Sequence, residues 1–122
     1  MKVLMADDSI LIRRSLVKLM DQLENVTQIA EATNVPEAIR VTQEFRPDVI
    51  ILDIRMPGGS GFDVLEFVRE HHDNIMVIIL TKYSTDVFRE EAMMKGADHF
   101  FDKSTEFEKV ISIIEQHNPS VN

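Results

Sequence analysis

Val49-Ile50-Ile51-Leu52-Asp53 is a run of four apolar residues closed by an acid, and its reading decides the fold. A strand with one wet face alternates apolar and polar residues. A run that is apolar at every position belongs to a strand buried on both faces, as in a parallel sheet covered by helices on either side. Val3-Leu4-Met5-Ala6 and Ile75-Met76-Val77-Ile78-Ile79-Leu80 have the same character. Val26 to Ala32 and Ala97 to Phe101 are the remaining strand candidates.

The segments between these runs carry a helical period. Leu11, Ile12, Ser15, Leu16, Leu19, Met20 and Leu23 read as one stripe, and Phe62, Leu65, Glu66 and Arg69 fall on a helix that Ser60 is placed to cap. Ser9, Thr85 and Thr105 are further N-cap candidates, with Glu108 completing a capping-box pattern after Thr105. Five strands alternating with five helices imply right-handed crossovers. The expected fold is α/β: a doubly wound five-stranded parallel sheet in the order 2-1-3-4-5, flavodoxin-like (β/α)5.

With 122 residues the chain has room for one core, so a single domain over 1–122 is expected, with 117–122 a polar tail that frays. The net charge of -8 argues against whole-surface attraction to nucleic acid or anionic lipid. The lack of cysteine excludes thiol chemistry and a Cys-based zinc site. No apolar run approaches the roughly 20 residues of a membrane helix, so no membrane insertion is expected and a cytoplasmic location is.

In an open parallel sheet, ligands bind at the carboxyl ends of the strands. The first strand ends in Asp7 and Asp8, the third in Asp53, the fourth in Thr81, and the fifth is followed by Asp102 and Lys103. Three clustered carboxylates repel one another unless a cation intervenes, and oxygen ligands without His or Cys select a hard divalent ion, Mg²⁺, Mn²⁺ or Ca²⁺. Lys103 supplies an ammonium and Thr81 a hydroxyl, both suited to phosphate oxygens. A carboxylate in such a setting can attack phosphorus and form an acyl phosphate. Taken singly, each residue has an ordinary explanation as a turn, a cap or a solvated charge; the pattern lies in their joint occurrence at one end of successive strands.

These residues carry a resemblance. Asp7-Asp8, Asp53-Ile54-Arg55-Met56-Pro57 with Gly61, Thr81, and Gly96-Ala97-Asp98 leading to Phe100 and Lys103 together resemble the response-regulator receiver domain of two-component signalling, over the whole chain. The resemblance implies that Asp53 is the phosphoacceptor and that Mg²⁺, with Mn²⁺ as an alternative, is held by Asp8 and Asp53 directly, by Asp7 through water and by the backbone carbonyl of Arg55. It implies that Thr81 and Lys103 contact the phosphoryl oxygens, and that Thr81 and Phe100 form the switch, the aromatic following the hydroxyl residue inward. The readout is then the surface of the fourth helix, fifth strand and fifth helix, where Arg89, Met93 and Lys95 are expected to be exposed.

The implied partners are a sensor histidine kinase or histidine phosphotransfer protein and a downstream target protein. Direct nucleic-acid binding is not implied, and the chain is expected as a monomer or a phosphorylation-dependent dimer. The expected organisation has no output domain, so that activity lies in binding another protein or in passing the phosphoryl group on; the chain is a switch that catalyses its own phosphorylation and dephosphorylation rather than an enzyme. Three positions depart from the family pattern: Lys82 where a small residue is common, Ser104 where proline is common, and Phe100 in place of tyrosine. Lys82, Arg55 and Tyr83 are expected to tune the lifetime of the phosphoryl group. An aspartyl-nucleophile phosphohydrolase would need an acid at the position of Arg55, and a flavin module would need a hydroxyl-rich phosphate loop at the position of Asp7-Asp8. Gly58-Gly59 lacks the lysine and spacing of a P-loop and is expected to be a flexible turn.

Overall fold

The computed structural model describes residues 1–72 and 74–119. Five parallel strands, β1 (Lys2–Ala6), β2 (Gln28–Ala32), β3 (Val49–Leu52), β6 (Met76–Thr81) and β7 (His99–Asp102), form one sheet in the order β2-β1-β3-β6-β7. In terms of the five main strands this is the expected 2-1-3-4-5 arrangement. The runs that are apolar at every residue lie in the middle: all of β3 is buried, and only the first residue of β1 and of β6 is partly accessible. The edge strands β2 and β7 are more open.

Five helices cover the two faces: α1 (Ile10–Met20), α2 (Val35–Phe45), α3 (Gly61–His71), α4 (Asp86–Met94) and α5 (Phe107–Gln116). The alternate side chains of each strand feed two separate cores. Leu4, Ile50, Leu52, Val77 and Ile79 pack against α2, α3 and α4, whereas Val3, Met5, Ile51, Ile78 and Leu80 pack against α1 and α5. On α1 the buried residues are Leu16 and Met20, with Ile12 and Leu23 beside them. Leu11 does not belong to that stripe: at 100° per residue it is turned away from Ile12, and it is 72% exposed.

Caps set the helix starts. Ser9 accepts from the Ile12 N–H and Thr85 from the Phe88 N–H, as expected from the sequence. Ser60 accepts from the Phe62 N–H, and the Asp63 carboxylate returns a bond to the Ser60 N–H, closing a reciprocal capping box. Thr105 does not cap α5. The Asp102 carboxylate takes the Ser104 and Thr105 N–H groups first, and the helix begins at Phe107 with Glu106 at the cap position. A two-stranded ribbon of β4 (Arg55–Met56) and β5 (Gly59–Ser60), not expected from the sequence, closes the β3–α3 connection. Gly58, expected to lie in a flexible turn, makes the tight ribbon turn at φ +85°. His117 is not free: its carbonyl, with those of Ile114 and Glu115, accepts from the Asn25 side chain. Residues 120–122 of the expected tail lie outside the described residues.

Candidate functional site

The order of the chain reverses at β1, which has β2 on one side and β3 on the other, and the crevice at such a point is where an open α/β sheet binds ligands. Asp7 and Asp53 continue the ladder past the ends of β1 and β3: the Asp7 N–H donates to the Ala32 carbonyl and the Asp53 N–H to the Ala6 carbonyl. This brings the two carboxylates side by side. An oxygen from each of Asp7, Asp8 and Asp53 lies within 4.8 Å of the others. Asp7 and Asp53 are buried and Asp8 is exposed.

Lys103 balances this charge. Its N–H donates to the Thr81 carbonyl, extending the β6–β7 ladder, and its side chain reaches across the strand ends. Nζ lies 2.6 Å from Asp7 Oδ2 and 2.9 Å from Asp53 Oδ2. The other Asp53 oxygen accepts from the Ile54 N–H at 2.8 Å, and Asp7 Oδ1 accepts from the Ser9 N–H at 2.8 Å. Burial pushes the Asp7 carboxyl above the ordinary carboxylate range, and the Asp53 charge adds to this against the opposing bonds from Lys103 and Ser9. Burial works against the Lys103 ammonium, yet its bonds to Asp7 and Asp53 outweigh that and hold it above the usual lysine value. The two partners of one ion pair are therefore both raised. The asymmetry is physical: the Lys103 ammonium faces two anions, whereas Asp7 shares that ammonium with a second buried anion.

Above these groups is a cavity of about 180 Å³ lined by Asp8, Ser9, Asp53, Arg55, Lys82, Tyr83 and Lys103. The Arg55 guanidinium stacks over the Tyr83 ring at 4.2 Å, joining the loop after β3 to the loop after β6 across the mouth. Lys82 is exposed at the same rim. Thr81 is fully buried and does not line the cavity; its hydroxyl accepts from the Tyr83 N–H at 3.1 Å. Gly61 allows the acidic loop to close. Its N–H donates to the Ile54 carbonyl, and a Cβ at this position would meet the Asp53 carbonyl oxygen at 2.1 Å.

The response regulator receiver domain family matches residues 3–115. This chain belongs to that family. It is 36% identical over 107 residues to the transcriptional regulatory protein YdfI of Bacillus subtilis, covering 88% of this chain and 50% of that protein. It is 26% identical over 115 residues to the response regulator GacA of Pseudomonas aeruginosa, covering 94% of this chain and 54% of that protein. The chain thus spans about half the length of these relatives. Among solved structures it is similar to a DNA-binding response regulator of the LuxR family from Staphylococcus aureus, with 30% identity, TM-score 0.85, and coverage of 94% of this chain and 96% of that one. It is also similar to the response regulator domain of Thermotoga maritima CheB, with 26% identity, TM-score 0.84, and coverage of 100% and 98%.

On this receiver domain the aromatic of the expected switch, Phe100, is buried. It is part of the core that α2, α3 and α4 cover, and Arg89 on α4, expected only as exposed surface, lies over it. The Arg89 guanidinium sits 4.7 Å from the centre of the Phe100 ring, and its Nη1 donates to the Phe100 carbonyl at 3.0 Å. Glu106 stands 4.0 Å from the same guanidinium. Of the other two residues expected at this surface, Lys95, at the C-cap just past α4, is paired with Glu66, and Met93 is 47% exposed. A second contact not foreseen joins the Ser84 hydroxyl to the Asp102 carboxylate, tying the loop after β6 to the end of β7. Both contacts join residues more than ten positions apart, and no local pattern marks them. Among the described residues, no helix is long and apolar enough to cross a membrane.

Proposed function

We propose that this receiver domain is a phosphorylation switch in which Asp53 accepts a phosphoryl group from a phosphohistidine, on a sensor histidine kinase or histidine phosphotransfer protein, or from a small acyl phosphate. The observation that carries this reading is the position of the Asp53 carboxylate: held by the Ile54 N–H, faced by Lys103, beside two further carboxylates and open to a small cavity. An Asp53 oxygen forms the new O–P bond as the P–N bond of the donor imidazole breaks. The electron pair leaves with the imidazole nitrogen, and Asp53 becomes an acyl phosphate. Protein groups contribute mainly position and charge.

The oxygen-only donor set fits a hard divalent ion. Asp7, Asp8, Asp53 and the backbone carbonyl of Arg55 would hold Mg²⁺, or Mn²⁺ in its place. Bound there, the ion would neutralise charge on the carboxylates and the phosphoryl oxygens. Lys103 turns its ammonium from Asp53 toward a phosphoryl oxygen once the carboxylate is esterified, keeping its bond to Asp7. Thr81 gives up the Tyr83 N–H and offers its hydroxyl to a second oxygen. Because Phe100 already occupies the inner position under Arg89, the movement available to this chain falls on Thr81 and the loop after β6. Arg55, Tyr83 and Lys82 set how freely water reaches the acyl phosphate.

The changed surface of α4, β7 and α5 is read by a downstream target protein, or the phosphoryl group is passed on, with residues 1–122 acting as one receiver unit. The domain is a cytoplasmic monomer or a phosphorylation-dependent dimer, and with a charge of -8 it does not itself bind nucleic acid. The test is exposure to acetyl phosphate with MgCl₂, followed by intact mass. The wild type should gain one phosphoryl group and Asp53→Asn none; no gain on the wild type, or an equal gain on the variant, overturns the reading.

A further inference from the structure

Two helices on opposite faces of the sheet carry exposed apolar residues among charges of opposite sign. On α1, Ile10 is 51% and Leu11 72% exposed, and the exposed Arg14 and Lys18 follow Leu11 at three and seven residues, on the same side of the helix. The helix has three basic residues and no acidic one. On α4, Val87 is 71% and Met94 88% exposed. They stand seven residues apart with Glu90 and Glu91 between them, bordering a surface hollow of about 480 Å³. Glu91 also borders the neighbouring cleft of about 570 Å³, whose apolar wall includes Met56, Phe62 and Phe88. None of the ion pairs among the described residues uses Arg14, Lys18, Glu90 or Glu91.

We infer that α1 of one copy of this chain docks antiparallel on the α4 groove of a second copy, with Leu11 against Met94, Arg14 against Glu90 and Glu91, and the Lys18 stem along Val87 with its ammonium toward Glu90. Both stripes span seven residues, Leu11 to Lys18 and Val87 to Met94; α1 has no acidic residue, and the basic residues beside the α4 hollow, Arg89 and Lys95, are already engaged with the Phe100 carbonyl and with Glu66. A single molecule cannot pair them, because α1 packs in the core with α5 and α4 in the core on the far face. The contact is head-to-tail, so each copy keeps one free stripe of each kind and the association does not close at a dimer. The net charge of -8 opposes self-association in general, but at physiological salt repulsion between distant charges is screened within about 8 Å. The local complement therefore decides. A contact of two short helices falls below the roughly 1,200 Å² of a stable interface, so the expected Kd is on the order of 0.1–1 mM. Leu11 lies three residues after Asp8, so docking also covers ground beside the acidic site of one partner. Well below that concentration the chain is the monomer proposed above, and the association at high concentration requires no phosphorylation.

Sedimentation of the whole 122-residue chain across that concentration range is the test. The wild type should show an average mass that rises with concentration without a plateau at the dimer, and that falls as salt is added. Arg14→Glu/Lys18→Glu and Glu90→Lys/Glu91→Lys, each checked by circular dichroism, should be monomeric alone. Mixed together they should associate again as the wild type does, since the unaltered α1 of the second fits the unaltered groove of the first and the reversed α1 of the first fits the reversed groove of the second. Val87→Ser/Met94→Ser should weaken association with the charges left in place. A concentration-independent monomer, a closed wild-type dimer, variants that alone associate as the wild type does, or a mixture that stays monomeric would each overturn the inference.

Discussion

Lys103→Met removes the ammonium that stands between Asp7 and Asp53 and keeps the shape of the side chain. In the wild type the side chains of Lys103, Asp7 and Asp53 are 6%, 6% and 8% exposed, so this is a buried ion cluster. Removing one partner of such a cluster costs about 3–5 kcal/mol, because the remaining charge is left buried without compensation. Asp7 offers a partial escape: its carboxyl is already raised by burial, and it can take up a proton at about 1.4 kcal/mol per pH unit above its pKa. The low end, about 3 kcal/mol at neutral pH, is therefore expected. With a urea slope of about 1–2 kcal/mol/M, the unfolding midpoint falls by roughly 1.5–3 M.

The sign with pH follows from the two raised groups. Lys103 has its folded pKa above the unfolded 10.5, so its contribution is complete below 10.5 and is lost as pH rises through the folded value. Asp7 binds its proton more tightly folded than unfolded, so protonating it favours the fold as pH falls. The gap between wild type and variant should thus be widest from neutral pH to just below 10.5, and should narrow toward both extremes. MgCl₂ should restore more stability to the variant than it adds to the wild type. Urea unfolding followed by circular dichroism at several pH values measures all of this. A neutral-pH midpoint that moves by less than about 0.3 M would refute the reasoning.

Gly61→Ala should destabilise the fold by about 1–3 kcal/mol, because the added Cβ meets the Asp53 carbonyl oxygen and the acidic loop has to move; a thermal midpoint within a degree of wild type contradicts this. Tyr83→Ala removes the Arg55 stack at the cavity mouth and should shorten the life of the phosphorylated form by about two- to fivefold, read by mass after the donor is removed. Lys82→Ala at the same rim should also change that lifetime, and an unchanged rate rules out a part for Lys82. Glu106 is held below its ordinary range by the Lys109 ammonium and the Asp102 N–H, and Asp102 by the Ser84 hydroxyl and the Ser104 N–H. Their stabilisation is therefore present above 4.5 and is lost as pH falls through their lowered values. Protection of the amides at the start of α5, measured against the intrinsic exchange rate at each pH, should fall only in that acid range; a loss of protection beginning near neutral pH would contradict it.

The sequence carried the sheet and the residues at its mouth because both are written in local chemistry. A run such as Val49 to Leu52 can be buried only on both faces, and an acid directly after such a strand can lie only at the carboxyl edge. Asp7, Asp8, Asp53 and Lys103 could thus be gathered in one place before any coordinates. Two local expectations gave way: Asp102 took the N–H groups that Thr105 was expected to organise, and the 100° between successive helix positions turned Leu11 away from the buried stripe of its neighbour Ile12.

The sequence by itself determined which side chains stand at the ends of the strands, because strand direction and crossover hand leave few alternatives. Only the tertiary structure decided how those side chains meet: that Lys103 bridges Asp7 and Asp53, that Arg55 stacks on Tyr83, that Arg89 lies over Phe100, and that Val87 and Met94 face outward. These pairings join residues on different elements, and their distances are set by the packing of helices on the sheet, which no short stretch of sequence encodes.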